Sequence, residues 1–142
     1  MTPTLFGRWQ TRLFLFATVG TLVTLPFFFG LISSKSGSIY FWVLGYVAIF
    51  GIGWDILYIY IQHFRWDRDW PGAFQLIAGI WEAIFIALLI TIIGLPGIPK
   101  QEFDLAAFAL HYSLVWLAIY LASQTVMRIL FPYWRFRGGQ LF

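Results

Sequence analysis

The amino-acid sequence predicts an all-α, polytopic membrane protein, a four-transmembrane-helix bundle in which spans 2 and 3 form a central helical hairpin. Hydrophobic residues make up 61% of the chain and charged residues only 11%, whereas charged residues make up about a quarter of an average soluble domain. The chain also contains four apolar stretches of about 20 residues, the length that crosses a bilayer as a helix. These spans use more than half of the 142 residues, so we interpret residues 1–142 as a single integral membrane domain.

The first predicted span, residues 13–32, follows a short polar and aromatic leader. Arg8 and Arg12 flank Trp9 in this leader, which we interpret as an anchor at the membrane surface. The span has no Ala-x-Ala-like end, so we expect it to be retained rather than cleaved as a signal peptide. Pro26 removes a backbone donor inside the span and predicts a kink.

The hairpin is bounded by residues that begin or break helices. A small, flexible loop at residues 33–38 ends in Ser38, which is a plausible N-cap for the second span. Pro71 suits the start of the third span, because a proline loses no hydrogen bond in the first turn of a helix. Small residues in the second span predict a face on which a neighbouring helix packs closely: Gly45, Gly51 and Gly53. The predicted bounds of the second and third spans are residues 39–63 and 71–93.

The fourth span is predicted over residues 104–131. Glu102 and Asp104 lie where negative charge favours the start of a helix, and Pro132 ends it. The aromatic and basic residues 133–137 that follow predict a tail lying among lipid headgroups.

Positive charge falls mainly on one side of the four predicted spans. Seven arginines lie on that side, against two lysines on the other: Arg8, Arg12, Arg65, Arg68, Arg128, Arg135 and Arg137, against Lys35 and Lys100. The positive-inside rule therefore places both termini and the hairpin turn in the cytoplasm, in a bacterial inner membrane or its equivalent. Because these residues lie at helix ends rather than on one face, no nucleic-acid partner is predicted.

Two pairs of polar residues fall at matched positions in the hairpin. Gln62 and Gln75 lie at equal distances from the middle of the turn, and so do Asp55 and Glu82. Within each arm the amide and the acid are seven residues apart and share one helix face. The hairpin is therefore expected to carry an internal polar seam, a Gln–Gln layer and an Asp–Glu layer roughly 10 Å deeper.

Carboxylates inside a membrane usually have a partner. The matched depth of Asp55 and Glu82 suggests that each is the other's partner. They would then either share a proton in a transport or relay step or, with the two glutamines, hold the hairpin in register. Arg128 either snorkels to headgroups or reaches inward to Asp55, and the sequence leaves both alternatives open.

The two histidines do not predict a haem or metal site. His63 and His111 differ in depth by roughly 20 Å in this arrangement, so one haem cannot use both. No further ligands lie at suitable spacing near either residue, and the chain contains no cysteine. We therefore predict no cofactor, an interfacial side chain at His63, and a hydrogen-bonded interhelical contact at His111.

The hairpin turn alternates charges with large aromatic residues. Arg65, Trp66, Arg68 and Trp70 either dock a partner or lie in the aromatic belt of the membrane. No nucleophile, phosphate-binding loop or hydrolase signature points to an enzyme. The expected function is a non-enzymatic accessory or assembly subunit of a larger membrane complex. The alternative is a proton-linked small-solute transporter or permeation protein that acts as a homo-oligomer through the Asp55 and Glu82 pair.

Overall fold

The computed structural model describes residues 2–33 and 37–142 and confirms an all-helical protein with four helices long and apolar enough to cross a membrane. Met1 and residues 34–36, which are half of the predicted flexible loop and include Lys35, lie outside the described residues. Thr4 contacts Gly138, and Arg8 contacts Gln62. Both chain ends therefore lie beside the hairpin turn, at what we call the turn end of the bundle. The four spans are Leu5–Phe28, Ile39–His63, Gly72–Ile92 and Leu105–Leu130.

The first span begins at Leu5, well before its predicted start. Thr4 caps the helix, and its hydroxyl accepts a hydrogen bond from the backbone N–H of Gly7 at 3.1 Å. Arg8 and Arg12 therefore lie inside the helix, and the prediction that they anchor the chain at the membrane surface is wrong. Their charges do not end the helix because carboxylates and amides of other spans contact them inside the bundle.

The first span also ends earlier than predicted. Gly30, with a φ of 71°, turns the chain back after Phe28, and the N–H of Leu31 donates to the carbonyl of Pro26 at 2.8 Å. Pro26 itself lies within the last helical turns. The span consists of α1 (Leu5–Leu15), a π-helical segment (Phe16–Gly20) and α2 (Thr21–Phe28).

The two helices of the hairpin agree closely with their predicted bounds. They are α3, Ile39–His63, and α4, Gly72–Ile92. Pro71 directly precedes α4, and its carbonyl accepts a hydrogen bond from Phe74 N at 3.0 Å. Ser38 lies at the predicted N-cap position of α3, and its carbonyl accepts a hydrogen bond from Phe41 N at 3.0 Å, but its side chain forms no capping hydrogen bond.

The fourth span is interrupted near the turn end. It comprises α5, Leu105–Gln124, and the short α6, Val126–Leu130. Thr125 separates them because its backbone, at φ −119° and ψ −80°, leaves the helical conformation. Asp104 caps α5 by accepting a hydrogen bond from Ala106 N at 2.9 Å. The predicted span is correct in extent to within one residue at each end, but not in continuity.

Two apolar clusters lie on either side of a polar middle layer. The cluster away from the turn end joins the hairpin to the fourth span and to the loop before it, through Val43, Val47, Ile86, Ile90, Ile98 and Phe108. The cluster at the turn end joins the first span to the end of the chain, through Leu15, Ala122, Met127 and Trp134. The charged residues of the bundle therefore lie between two apolar clusters.

The C-terminal tail folds back onto α1. The indole N–H of Trp134 donates to the hydroxyl of Thr11 at 2.7 Å, and that hydroxyl donates to the carbonyl of Gly139, also at 2.7 Å. The N–H of Thr4 donates to the carbonyl of Gly138 at 2.9 Å. Trp134 is only 6% exposed, so the prediction that the tail lies among headgroups is wrong for this residue.

Candidate functional site

One arginine joins the two intramembrane acids. The guanidinium of Arg12 donates to both carboxylate oxygens of Asp55, at 2.9 and 3.0 Å. It also donates to both carboxylate oxygens of Glu82, at 3.0 and 3.1 Å. The hydroxyl of Tyr58 donates a further hydrogen bond to Glu82 at 3.1 Å. Asp55 and Glu82 are 2% and 6% exposed, so this two-sided pairing lies inside the bundle.

The prediction that Asp55 and Glu82 are each other's partner is wrong. They do lie at one depth, since both bind the same guanidinium, but Arg12 lies between them and supplies the donors. The sequence interpretation missed Arg12 because it placed that residue outside the first span. A usable signal was present: Arg8 and Arg12 are four residues apart, on one helix face, directly before an apolar stretch.

Gly51 makes room for this arginine. A Cβ atom at position 51 would lie 2.0 Å from Nη1 of Arg12, and the hydrogen bonds to the two acids prevent the guanidinium from moving aside. Gly45 and Gly53, by contrast, have no atom within 4 Å of such a Cβ. The predicted glycine packing face is therefore correct for Gly51 alone, and its neighbour is a side chain rather than a helix backbone.

Arg8 extends this group of charges towards the turn, and we call Arg8, Arg12, Asp55 and Glu82 the ionic cluster. Its Nη1 lies 4.0 Å from Asp55, and its Nη2 donates to Oε1 of Gln62 at 3.3 Å. The guanidinium also lies over the ring of Trp70, 4.4 Å from the centroid, in a cation–π contact. With Arg12 and Glu82, the cluster holds two cations and two anions, a balance that reduces the cost of burying charge.

The predicted Gln–Gln layer does not form. Gln62 donates instead to the carbonyl of Arg68 at 2.5 Å and to that of Pro3 at 3.4 Å. Gln75 is half-buried, and its amide has no hydrogen-bond partner among residues 2–33 and 37–142. The two glutamines do not pair because the side chain of Gln62 bonds to Arg8 and to the turn backbone rather than to the opposite arm.

His111 forms the interhelical hydrogen bond predicted for it. Its Nε2 lies 2.9 Å from the hydroxyl of Thr24, and that hydroxyl donates its single proton to the carbonyl of Gly20 at 2.7 Å. With the hydroxyl proton on the Gly20 carbonyl, the tautomer that fits this contact carries its proton on Nε2. Nδ1 has no partner among the described residues. His63 is exposed at the end of α3, and its Nδ1 contacts the carbonyl of Ile59.

Arg128 does not reach the acids. Its guanidinium donates to the side chain of Gln124, one turn earlier in the fourth span, and the residue is exposed. The alternative in which Arg128 pairs with Asp55 is therefore wrong, because Arg12 and Arg8 already occupy that carboxylate. No group of three histidine, aspartate or glutamate side chains within the described ranges is arranged to hold a metal ion.

An ion pair and a hydrogen bond fix the backbone of the hairpin turn. Arg65 pairs with Asp67 at 2.8 Å, and this contact holds the pKa of the exposed Asp67 carboxyl below its ordinary value. Arg68 has a φ of 49°, and its carbonyl is the acceptor for Gln62. The turn therefore has a defined backbone conformation.

The two tryptophans of the turn have different surroundings. Trp66 is 95% exposed. Trp70 packs between Arg8 and two aromatic rings, those of Tyr58 at 5.4 Å and Phe74 at 5.5 Å between centroids. Of the two predicted docking tryptophans, the structure leaves only Trp66 free for a partner.

A cavity of about 410 Å³ lies between the four spans and extends from the turn end past the ionic cluster. Arg12 and Glu82 form part of its wall at mid-depth, and Gln75 lies nearer the turn end. Its volume is within the range of small-molecule sites, roughly 300–1,000 Å³. Comparisons of the chain with protein families, with curated proteins and with solved structures find no match.

Proposed function

We propose that this protein is a non-enzymatic accessory or assembly subunit of a larger membrane complex, which it contacts through the hairpin turn. The observation that carries the proposal is Trp66, a large aromatic side chain almost fully exposed on a turn of defined conformation. Exposed tryptophans held by rigid supports are favoured as anchors of protein interfaces. The other tryptophan of the turn, Trp70, packs against Arg8, Tyr58 and Phe74 and so holds the turn against the bundle.

The ionic cluster supports this proposal as a scaffold. Arg8 contacts Asp55 and Trp70 together, so the position of the turn is linked to the centre of the bundle. Arg12 then links Asp55 to Glu82 in the other arm. A turn held from within loses little conformational entropy when it binds a partner.

Exchange of Trp66 for alanine tests the docking role. We expect Trp66→Ala to lower the yield of co-purified subunits at least tenfold, with an unchanged yield of folded protein, because hot-spot aromatics contribute 2 kcal/mol or more. The measurement is gentle detergent purification of the tagged chain from its host, followed by quantitative mass spectrometry.

Phe136→Ala is the matched control, since Phe136 is also an exposed aromatic residue and belongs to the tail at the same end of the bundle. It should leave the co-purified subunits unchanged. A wild-type preparation without stoichiometric partners would contradict the proposal, as would equal recovery from Trp66→Ala.

The cavity favours a second candidate, a proton-linked transporter or permeation protein acting as a homo-oligomer. Glu82 forms part of the cavity wall, so a protonatable group meets the space through which a solute would pass. In this case Glu82→Gln should fold normally and lose pH-dependent flux in proteoliposomes. Wild-type protein that carries no proton flux would exclude this candidate, and a Glu82→Gln variant with normal folding and normal flux would exclude both roles for the acid pair.

A further inference from the structure

The wall of the cavity on the fourth span carries hydrogen-bond donors that the protein does not use. Trp116 and Tyr120 lie one helical turn apart with their rings stacked, at 5.2 Å between centroids and 9° between planes. Neither the indole N–H nor the hydroxyl has a hydrogen-bond partner within residues 2–33 and 37–142. The amide of Gln75, on α4, lines the same cavity and is likewise without a partner in that part of the chain.

The two ends of the cavity differ in chemistry. Near the turn end, Arg128 and Arg135 line the cavity together with Asp69, so two cations face one anion there. Away from the turn end, the lining is mainly apolar and includes Val43, Leu44, Val47 and Val115, with His111 as a polar member. The cavity therefore has a donor-rich turn end with a net positive charge and a mainly apolar deep end.

The ionic cluster in the middle of the cavity does not compete for a ligand. Every oxygen of Asp55 and Glu82 accepts a hydrogen bond from Arg12. At the depth of Asp55 and Glu82, a ligand therefore lies beside charges whose sum is close to zero. The unused donors of Trp116 and Tyr120 lie beside Gly79 and Gly72 of α4, between this level and the turn end. Arg8 Nε and His111 Nδ1, whose residues also line the cavity, are likewise without a partner in the described part of the chain.

We propose that the cavity binds a membrane amphiphile whose head group offers only hydrogen-bond acceptors, either a quinone or a fatty carboxylate. The head lies against Trp116 and Tyr120 and accepts their N–H and O–H protons, and the apolar tail occupies the deep end. An indole N–H can only donate, so it selects an acceptor. The flat stacked pair also offers an aromatic surface to a planar head.

The test uses the full chain in phosphatidylcholine nanodiscs, titrated separately with decylubiquinone and with laurate against empty nanodiscs. The cavity variant combines Trp116→Phe with Tyr120→Phe, which removes both donors and keeps an aromatic ring at each position, with a smaller ring at position 116. We expect it to lower the affinity for the bound probe about tenfold, the effect of losing two hydrogen bonds of ordinary net strength. Circular dichroism and gel filtration verify that it folds like the wild type.

The matched control combines Trp81→Phe with Tyr60→Phe, because these residues are half or more exposed on the outer surface and do not line the cavity. The control should bind as the wild type does. Arg135→Gln separates the two ligand sources, since it should weaken laurate and leave decylubiquinone unchanged. Binding of neither probe above the empty-nanodisc level would overturn the proposal, as would equal affinity of the cavity variant and the wild type.

Discussion

At the residue scale, Arg12 determines what the two acids can do. Its guanidinium provides four hydrogen bonds, two to Asp55 and two to Glu82, so each carboxylate is satisfied as an anion without a proton shared between them. A buried ion cluster of this kind adds little stability over well-packed apolar residues, but removal of one member leaves the others unpaired. A comparison of variants that lack one member of the cluster with variants that lack all of it therefore tests whether the cluster stabilises the fold.

We predict that Arg12→Met lowers the free energy of unfolding by about 3–5 kcal/mol, because it leaves two buried carboxylates without their main donor. The combined replacement of Arg8 and Arg12 by Met and of both acids by Leu should recover most of that loss, since no unpaired charge of the cluster remains. Unfolding in mixed micelles, followed by far-ultraviolet circular dichroism, measures both values. If Arg12→Met were as stable as the wild type, the cluster would not hold the bundle together.

The sequence could predict part of this site. Counting from the turn located Asp55 and Glu82 at one depth, because two helices joined by a short turn must run side by side. The same count could not find Arg12, which belongs to neither arm of the hairpin. The prediction of a layer formed by Gln62 and Gln75 is wrong for a related reason. Depth alone does not decide which of several available partners a side chain contacts.

At the element scale, the first helix and the C-terminal tail form one unit. Thr11 is the central contact, since its hydroxyl accepts from Trp134 and donates to Gly139. Gly138 and Gly139 have φ values of 64° and 91°, which allow the tail backbone to approach α1. The tail is therefore held by specific hydrogen bonds as well as by burial of the Trp134 ring.

We predict that Thr11→Val releases the tail without unfolding the bundle. Loss of the bridging hydroxyl leaves Trp134 Nε1 and the carbonyl of Gly139 unsatisfied, so trypsin should cut the exposed tail arginines about tenfold faster. The matched control is Thr18→Val, because the hydroxyl of the exposed Thr18 bonds, among the residues that the structure describes, only to the carbonyl of Phe14 in its own span. An unchanged cleavage rate for Thr11→Val would contradict the role assigned to this hydroxyl.

The elements were predicted unequally. The hairpin bounds agreed because long apolar runs, a charged turn and Pro71 mark them strongly. The first span was misplaced because hydropathy counts Arg8 and Arg12 as an end, whereas their partners in other helices allow them inside. Trp134 was misplaced because aromatic and basic residues have the same composition whether they face headgroups or fold back onto the protein.

At the scale of the whole molecule, the distribution of charge bears on orientation. The described part of the chain places exposed Arg68, Arg128, Arg135 and Arg137 at the turn end, together with the half-buried Arg65. Lys100 lies at the opposite end. The positive-inside rule therefore continues to favour a cytoplasmic turn end, although two of the arginines first counted for it are buried in the bundle.

Cysteine labelling tests this orientation, because the natural chain contains no cysteine to interfere. Lys100→Cys should react with a membrane-impermeant maleimide in intact cells. Arg137→Cys should react only after the membrane is permeabilised. The reverse pattern would place both termini outside and would remove the turn from the reach of any cytoplasmic partner.

The ionic cluster also constrains how the protein is made. Because synthesis runs from the N terminus, Arg12 is made before Asp55 and Glu82, so its charge has neither of these partners until they have been synthesised. We infer that the first helix reaches its final depth only after the third has been inserted, which makes three spans one cooperative unit of biogenesis. Nascent chains arrested before residue 82 should accordingly be extracted from membranes by alkaline carbonate more readily than nascent chains arrested after the third span.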